Sequence, residues 1–347
     1  MKTSRILTHT IAALLLSVPA LYAAPDTLTG SDPVWASGGN WSLGTPPGVG
    51  SNAVIGATGI VDVNGTSLAG LTEIQDLTFN NAGGVIMAND SASSALDLAL
   101  NGGRGAGVPL IQTLGDAAYT IQGPGTNAIP NALRLLLKAS GDFSVGSSDP
   151  NQPLTISSVI AESGGARSLR KTGAGRLILS GANSFTGGVT IAAGILEVRS
   201  KAALATGPVT LSGGTLQVRE NGAFVSQTLI YGQNIAVLAG GGSINADRVS
   251  GTNTLITIQF GTLSIGAQTL NLSGGNSYKV RFSGATTLTG DATFNVGQSG
   301  SSVMPVLMGG AISGGFGITK AGVGTLRLQA ANPYSGQTTI NGGTLVL

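Results

Sequence analysis

One stretch of sequence occurs twice in this chain, and this repetition constrains the fold more than any other feature. Residues 171–198 read KTGAGRLILSGANSFTGGVTIAAGILEV, and residues 320–347 read KAGVGTLRLQAANPYSGQTTINGGTLVL. Twelve of the 28 aligned positions are identical, whereas the residue frequencies of such a chain predict roughly a tenth by chance. A repeat of this length predicts stacked structural units that share one elongated core.

The spacing of leucines in short apolar runs predicts the architecture. Leu177, Leu196 and Leu216 follow one another at intervals of 19 and 20 positions, and Leu326 and Leu345 are again 19 positions apart. A winding of about twenty residues with two or three short strands has the size of one β-solenoid turn. We therefore predict an all-β fold, a parallel β-helix over residues 56–347. The run NALRLLLK at 131–138 allows one or two helical turns, a strand or a cap element.

Alternating apolar and polar residues predict the register of the windings. Leu196 is expected to point into the core, and Glu197 and Arg199 are expected to point out. One winding later, Arg219 would lie beside Arg199, a like-charge pair that Glu197 and Glu220 would offset. A shift of one residue would bury arginine, so the alternation specifies a single register.

The sequence NSFTG at 183–187 aligns with NPYSG at 332–336 and indicates a tight corner. Asparagine tolerates left-handed backbone and forms local hydrogen bonds, and glycine adopts positive φ without steric cost. Stacked asparagines can also form hydrogen-bonded ladders. Phe185 and Tyr334 are expected to pack the corner, and a ligand-binding role for these two rings is the alternative.

The N-terminus has the features of an export signal. A positively charged start precedes a short apolar core at 11–18, and Ala23 offers a small residue at the cleavage position, with Ala20 as the alternative. The apolar run is shorter than the roughly 20 residues that a membrane span requires. We expect residues 1–23 to be a signal peptide and no transmembrane segment to remain in the mature chain.

Removing this segment changes the chemistry of the chain. Lys2, Arg5 and the single histidine, His9, lie within it, and removing them leaves 15 basic and 15 acidic residues and no cysteine. A net charge of zero predicts no nucleic-acid partner. Without histidine and cysteine, the mature chain lacks the residues for a Ser-His-Asp triad, a cysteine nucleophile or the usual zinc site. We expect no cofactor, no metal and no enzymatic activity.

Carbohydrate chemistry at paired carboxylates is the enzymatic alternative. Asp247 lies beside Arg248, and Asp142 and Asp149 flank a segment that could admit a polysaccharide. Because the whole sequence has only 15 acidic residues, solvated turn positions are the expected place for these acids.

Residues 24–55 are predicted to be a loop-like cap over the first winding, because an open solenoid end exposes apolar core and unpaired strand edges. Both tryptophans, Trp35 and Trp41, lie in this segment. We expect them to bury apolar area in the cap, and a sugar-stacking platform is the alternative.

The two units share the pattern K-[TA]-G-x-G-x-L-x-L, then A-N-x-[FY]-[ST]-G, then T-I-x-x-G-x-L. They resemble the autotransporter-associated β-strand repeat, also called the passenger-associated transport repeat. The positions that carry this structural motif are Lys171, Gly173, Gly175, Leu177, Leu179, Asn183, Phe185, Gly187, Thr190, Ile191, Gly194 and Leu196, and Lys320, Gly322, Gly324, Leu326, Leu328, Asn332, Tyr334, Gly336, Thr339, Ile340, Gly343 and Leu345.

This resemblance implies an exported bacterial passenger with a right-handed β-helix, a secreted or cell-surface location associated with the outer membrane, and no catalytic residues. We expect a structural or adhesive stalk whose repeats support secretion and folding, with the export machinery as a partner. The alternatives are an adhesin that binds surface glycans or host or matrix proteins, and a β-helix polysaccharide lyase or hydrolase. Because the sequence stops inside a predicted strand at Leu347, we expect either a truncated passenger or a protein exported by another route.

Overall fold

The computed structural model describes residues 26–28, 53–55, 59–62, 72–80, 85–88, 96–102, 109–122, 133–299, 302–303 and 305–347. The predicted signal peptide and both tryptophans lie outside the described residues. Two short segments of the predicted cap are described, Asp26–Leu28 and Ala53–Ile55, and both are strands that pair with each other.

The chain winds repeatedly through the same order of strands, and each position in that order forms a parallel sheet. We call the three positions the first, second and third sides, and we call one passage of the chain through them a winding. Within the described residues, the first side is one sheet of 12 strands: β1 (Asp26–Leu28), β2 (Ala53–Ile55), β5 (Leu77–Phe79), β8 (Ile111–Thr113), β11 (Gly141–Val145), β14 (Leu169–Thr172), β16 (Val189–Ile191), β18 (Val209–Leu211), β21 (Ile235–Val237), β24 (Leu263–Ile265), β27 (Thr286–Leu288) and β31 (Ile312–Ser313).

The second side is a sheet of 13 strands in the described part of the chain, of which 12 are stacked in parallel. It contains β3 (Gly59–Asp62), β6 (Val85–Ala88), β9 (Tyr119–Gln122), β12 (Leu154–Ile156), β15 (Arg176–Leu179), β17 (Ile195–Val198), β19 (Thr215–Arg219), β22 (Gly242–Asp247), β25 (Thr269–Gly274), β28 (Ala292–Ser299), β32 (Ile318–Ala321) and β34 (Thr338–Ile340). A short strand, β29 (Ser302–Val303), pairs with β28 in antiparallel orientation.

The third side is divided into two sheets. The first contains β4 (Thr72–Ile74), β7 (Leu96–Leu100), β10 (Leu133–Leu137) and β13 (Val159–Glu162). The second contains β20 (Thr228–Ile230), β23 (Thr257–Phe260), β26 (Lys279–Phe282), β30 (Pro305–Met308), β33 (Thr325–Leu328) and β35 (Thr344–Val346). Between these two sheets, a 3-10 helix spans Lys201–Leu204.

The predicted β-helical stack is confirmed by the strand register. Leu177 pairs with Leu196, Leu196 pairs with Leu216, and Leu326 pairs with Leu345. Burying a leucine side chain stabilises a fold by about 1.5–3 kcal/mol, and consecutive windings repeat this contribution at one inward position. The column beyond Leu216 consists of Ile244, Leu272 and Val296, each at most 1% exposed.

The length of a winding varies more than the sequence predicted. Paired positions at the repeats keep the short spacing of the leucines, whereas Leu216 pairs with Ile244 and Leu77 pairs with Ile111, both much farther apart in the sequence. The longer windings carry a strand on the third side, which the windings of the first repeat lack. The alternative of helical turns at 131–138 is wrong, because Leu133–Leu137 is strand β10 and pairs on both edges.

We predict that Leu196→Ala lowers the free energy of unfolding by about 2–5 kcal/mol, because it leaves a cavity in a column that cannot collapse between fixed windings. Urea denaturation followed by circular dichroism measures this change. Thr210→Ala, a half-buried position on β18 that faces away from the core, is the matched control and should change stability by no more than about 0.5 kcal/mol. Equal effects of the two variants would contradict the inward register.

Candidate functional site in the repeat unit

The lysine that begins the first repeat is buried in the core. Lys171 is 0% exposed, and its strand places it in an inward column between Phe143 of the preceding winding and Ile191 of the next. The aliphatic part of the side chain therefore continues an apolar column, as expected for a long side chain that buries its stem.

The ammonium group of Lys171 bonds to main-chain carbonyls at the corner after its strand. Nζ donates to the carbonyl oxygens of Thr172 at 2.6 Å, Gly173 at 2.9 Å and Ala193 at 3.3 Å. An ammonium has three donors, and all three are used. Because Ala193 belongs to the next winding, the lysine ties one corner of the solenoid to the corner stacked on it.

The second repeat has an equivalent buried lysine with three carbonyl contacts, and we call this arrangement the lysine clamp. Lys320 is 0% exposed and lies between Phe294 and Ile340 in its inward column. Its Nζ donates to the carbonyls of Ala321 at 2.6 Å, Gly322 at 2.8 Å and Gly342 at 3.0 Å. The lysine at the start of the repeat therefore makes equivalent hydrogen bonds in both copies.

Burial lowers the pKa of Lys171 to about 8 and lowers that of Lys320 in the same direction, since desolvation disfavours the charged form. The three carbonyl acceptors favour the ammonium, which is the dominant form at neutral pH. The carbonyls reach it because Gly173 and Gly322 adopt φ of 73° and 72°, backbone that favours glycine.

The repeat asparagine caps the edge of a sheet. Asn183 Oδ1 accepts a hydrogen bond from the amide of Ile160 at 2.8 Å, and Ile160 lies in β13, the last strand of the first sheet on the third side. On its other side, Asn183 Nδ2 donates to the carbonyl of Ala203 in the 3-10 helix at 2.7 Å. One side chain thus joins three successive windings where the strand ladder stops.

Asn332 makes the equivalent contact on a different side. Its Oδ1 accepts from the amide of Ile312 at 2.9 Å, and Ile312 lies in β31, the last strand of the sheet on the first side. The expectation of left-handed backbone at these asparagines is wrong, because neither Asn183 nor Asn332 has positive φ. Their Oδ1 atoms bond across windings instead, whereas Nδ2 of Asn332 makes the expected local bond by donating to the carbonyl of Ala330 at 2.5 Å. The predicted asparagine ladder does not form at this corner.

The two copies occupy different sides of the solenoid. In the first copy the lysine strand, β14, lies on the first side, the next strand lies on the second side, and the asparagine corner replaces a strand on the third. In the second copy the lysine strand, β32, lies on the second side, the next strand lies on the third, and the corner replaces a strand on the first. In each copy, the asparagine corner takes the place of the strand that would follow the two strands of the copy. The sheet on that side of the solenoid therefore ends at the corner.

The aromatic residue of the motif packs inward at the corner. Phe185 is 0% exposed within the core, and Tyr334 is partly buried against the core, with its hydroxyl 2.6 Å from Thr338 Oγ1. The motif glycine that follows does not have the positive φ that we expected. At Gly187 a Cβ would lie 2.5 Å from the carbonyl of Arg167, so close packing between windings requires glycine there.

The remaining motif positions line the core or the stacked corners. Gly194 and Gly343 have φ of 64°, and a Cβ at Gly175 or Gly324 would collide with a carbonyl of the preceding winding. Thr190 and Thr339 are half-buried. Leu177, Leu179, Ile191, Leu196, Leu326 and Leu328 are buried, Leu345 is half-buried and Ile340 is 55% exposed.

The outward charges of the first repeat form ion pairs that differ in part from those expected. Glu197 is only 3% exposed and pairs with Arg176 at 3.2 Å and with Arg199 at 2.9 Å. Glu220, expected to offset Arg199 and Arg219, accepts instead from the hydroxyl of Tyr231 at 2.6 Å. Asp247 of the next winding pairs with Arg219 at 2.7 Å.

The acids considered for carbohydrate chemistry are held in local contacts. Asp142 pairs with Arg170 at 2.9 Å, and Asp149 Oδ1 accepts from the amide of Asn151 at 2.9 Å in a turn. Asp247 accepts from the amide of Arg248 at 2.8 Å in addition to its contact with Arg219. Asp142 and Asp247 lie on strands of different sides, β11 and β22. In the part of the chain that is described, no group of three or more His, Cys, Asp or Glu residues is placed to hold a metal ion.

The comparisons with known proteins agree with the repeat geometry. The family Passenger-associated-transport-repeat matches residues 169–198 and 318–347, so the chain carries two such repeats and the resemblance inferred from the sequence is confirmed. The chain is 29% identical over 231 residues to the adhesin BmaC autotransporter of Brucella suis biovar 1 (strain 1330). That alignment covers 66% of this chain but only 5% of the relative's length. No solved structure matches the chain.

These findings support a passenger region of the autotransporter type. Among the described residues, no helix has the length and apolar character needed to span a membrane.

We predict that Lys171→Met lowers the free energy of unfolding by about 1–3 kcal/mol at pH 7, because three corner carbonyls lose their donor. It should also flatten the pH dependence. Since the pKa of Lys171 is about 8 in the folded chain and about 10.4 when unfolded, the unfolded chain binds more protons between these values. Stability therefore rises with pH across that window in the parent chain.

Chemical denaturation at pH 7, 8, 9 and 10 measures both effects of Lys171→Met. Lys279→Met, on a half-buried lysine of strand β26, removes the same charge but none of the corner hydrogen bonds, and it is the matched control for the effect at pH 7. An unchanged rise in the Lys171→Met chain would show that this lysine is not the buried group that titrates.

We predict that Asn183→Ala costs about 1–3 kcal/mol, because the Ile160 amide and the Ala203 carbonyl both lose a buried partner. Hydrogen exchange should speed up at Ile160 in particular, since the strand edge opens to water. Asn151→Ala, at an exposed turn, is the control and should leave exchange at Ile160 unchanged. Unaltered exchange at Ile160 in Asn183→Ala would contradict the capping role.

Proposed function

We propose that this chain is an exported passenger that forms a structural or adhesive stalk at the bacterial surface, and that its two repeats support secretion and folding. The observation that carries the proposal is the pair of repeat units, each of which ties consecutive windings together with a buried lysine and caps a sheet edge with an asparagine. Both contacts stabilise the stack between one winding and the next.

Folding winding by winding supplies the mechanism. Within the stack, strands pair with the same side of the preceding and following windings, so each added winding can bury its apolar residues on a surface already formed. A chain that emerges from a membrane and folds in this order loses the ability to slide back once each winding is in place. The lysine clamp strengthens this effect, because Lys171 reaches the carbonyl of Ala193 only when the next winding is in place.

The proposed location is the secreted or cell-surface compartment associated with the outer membrane, after cleavage of the signal peptide near Ala23. The export machinery is the first partner of such a chain. A lyase or hydrolase is the weaker alternative, because Asp142 and Asp247 are each neutralised by an arginine. The adhesin alternative, in which the lateral surface binds surface glycans or host or matrix proteins, is supported by the similarity to an adhesin and by a cleft lined with arginine.

We predict that removing one winding from the first repeat lowers export more than removing one winding elsewhere. Deleting 171–190 joins the chain in phase, because Lys171 pairs with Ile191. The matched control deletes 235–262, which is also one winding because Ile235 pairs with Leu263. The amount of protease-accessible passenger at the surface, relative to total passenger made, is the measurement.

The surface fraction should fall several-fold in the repeat deletion and by clearly less in the control. Lys171→Met combined with Lys320→Met should reduce export in the same direction without changing chain length. If both deletions reduce export equally, the repeats have no special part in secretion and the chain is a stalk only.

A further inference from the structure

A cleft on the outer surface of the second side gathers the arginines of four consecutive windings. It has a volume of about 320 Å³. Strands β15, β17, β19 and β22 are adjacent in this sheet, so the side chains rise along the axis at the strand spacing of ~4.8 Å. The residues that line the cleft are Arg176, Glu197, Arg199, Arg219, Arg248 and Val249.

The cleft carries more positive charge than the protein neutralises. Arg176 and Arg199 share the single carboxylate of Glu197, and Arg219 pairs with Asp247. The guanidinium of Arg248 donates to the carbonyl of Asn253 at 2.9 Å, and no carboxylate in the described part of the chain forms an ion pair with it. Four guanidiniums therefore face two carboxylates at this site, in a chain whose predicted mature form is neutral.

The exposed guanidiniums favour a ligand with oxygen acceptors. The side chain of Arg199 is 41% exposed, and arginine presents a planar fork that matches carboxylate and sulfate oxygens.

The strip of outward residues that continues along the same sheet carries polar amides. Asn245 Nδ2 donates to Ser273 Oγ at 2.9 Å, and Asn295 Nδ2 donates to Asn271 Oδ1 at 2.8 Å. Such amides and hydroxyls can donate to and accept from sugar hydroxyls. None of the described residues that line the cleft is aromatic, and single-stranded nucleic acid typically needs aromatic platforms for base stacking. The chemistry therefore favours a sugar chain over a nucleic acid.

We propose that this arginine cleft binds an anionic glycan, with the acidic groups of the sugars held by the guanidiniums of Arg199, Arg219 and Arg248. This inference deepens the adhesin alternative of the proposed function, and it is independent of the role of the repeats in export. The acidic groups can be carboxylates of uronates or sulfate esters, since both offer the planar or tripodal oxygens that arginine recognises.

The test measures binding of the purified full chain to three immobilised polysaccharides by biolayer interferometry at low and physiological salt. Heparin carries sulfate and carboxylate, polygalacturonate carries carboxylate alone, and dextran is neutral. We expect binding to heparin, weakened by salt, and none to dextran. Binding to polygalacturonate as well would assign recognition to carboxylates, and its absence would assign it to sulfates. Binding to neither acidic polymer would overturn the proposal.

The decisive variant is R199Q/R248Q, which removes two partly exposed guanidiniums and leaves the Arg176–Glu197 and Arg219–Asp247 pairs in place. We expect it to weaken binding about tenfold or more. The control R170Q/R327Q removes two exposed arginines outside the cleft and alters net charge equally. Equal weakening by the two variants would overturn the site, because it would reduce the effect to overall charge.

Circular dichroism and thermal unfolding of R199Q/R248Q verify that the variant is folded, so a loss of binding can be assigned to the cleft. A single-stranded oligonucleotide serves as a competitor, and binding as tight as that of heparin would overturn the choice of a glycan. Because these measurements use purified chain, their failure leaves the export prediction untouched, and unchanged export in the deletion variants leaves the glycan site untouched.

Discussion

The main-chain ladder between windings is the constraint on which the structure depends. In the sheets on all three sides, strands bond to the same side of the windings before and after them, so a winding is stable only when its neighbours are present. The apolar columns follow from this stacking, because residues in register are placed at the same inward position in successive windings. Charges are restricted to the outer surface unless a specific set of acceptors receives them, as at Lys171.

Sheet edges are the difficulty that such a ladder creates, and the repeat unit resolves it locally. Where a short winding has no strand on one side, the sheet there has to end, and its last amides would be left without partners. Asn183 and Asn332 supply those partners from their side chains at the two places where a described sheet stops beside a repeat. The asparagine corner of the repeat therefore does two things at once: it shortens the winding and it caps the edge of the sheet.

The stack could be predicted from the leucine spacing, because an inward position recurs once in every winding. The longer windings could not, since surface loops vary in length without changing the register. The buried lysine was missed, although a signal was present: alternation places Lys171 and Lys320 at inward positions. The sequence indicated left-handed backbone or a ladder of stacked asparagines at Asn183, because it does not show that the partners of this side chain are main-chain groups of the neighbouring windings. The ion pair of Arg219 depended on Asp247 of the following winding, and only the fold brings these two together.

The placement of the two copies on different pairs of sides has a consequence for how such chains lengthen. Each repeat supplies both the lysine that bonds the corner carbonyls and the asparagine that caps the sheet edge. Its contacts therefore do not depend on the side of the solenoid that it occupies. Duplication of a whole winding at either repeat keeps the register of the strands on both sides of it, because Lys171 pairs with Ile191 and Lys320 pairs with Ile340 one winding later. Because a whole winding keeps the register of the strands that follow it, as the pairing of Lys171 with Ile191 shows, an added copy lengthens the coil without turning the lateral surfaces beyond it about the axis.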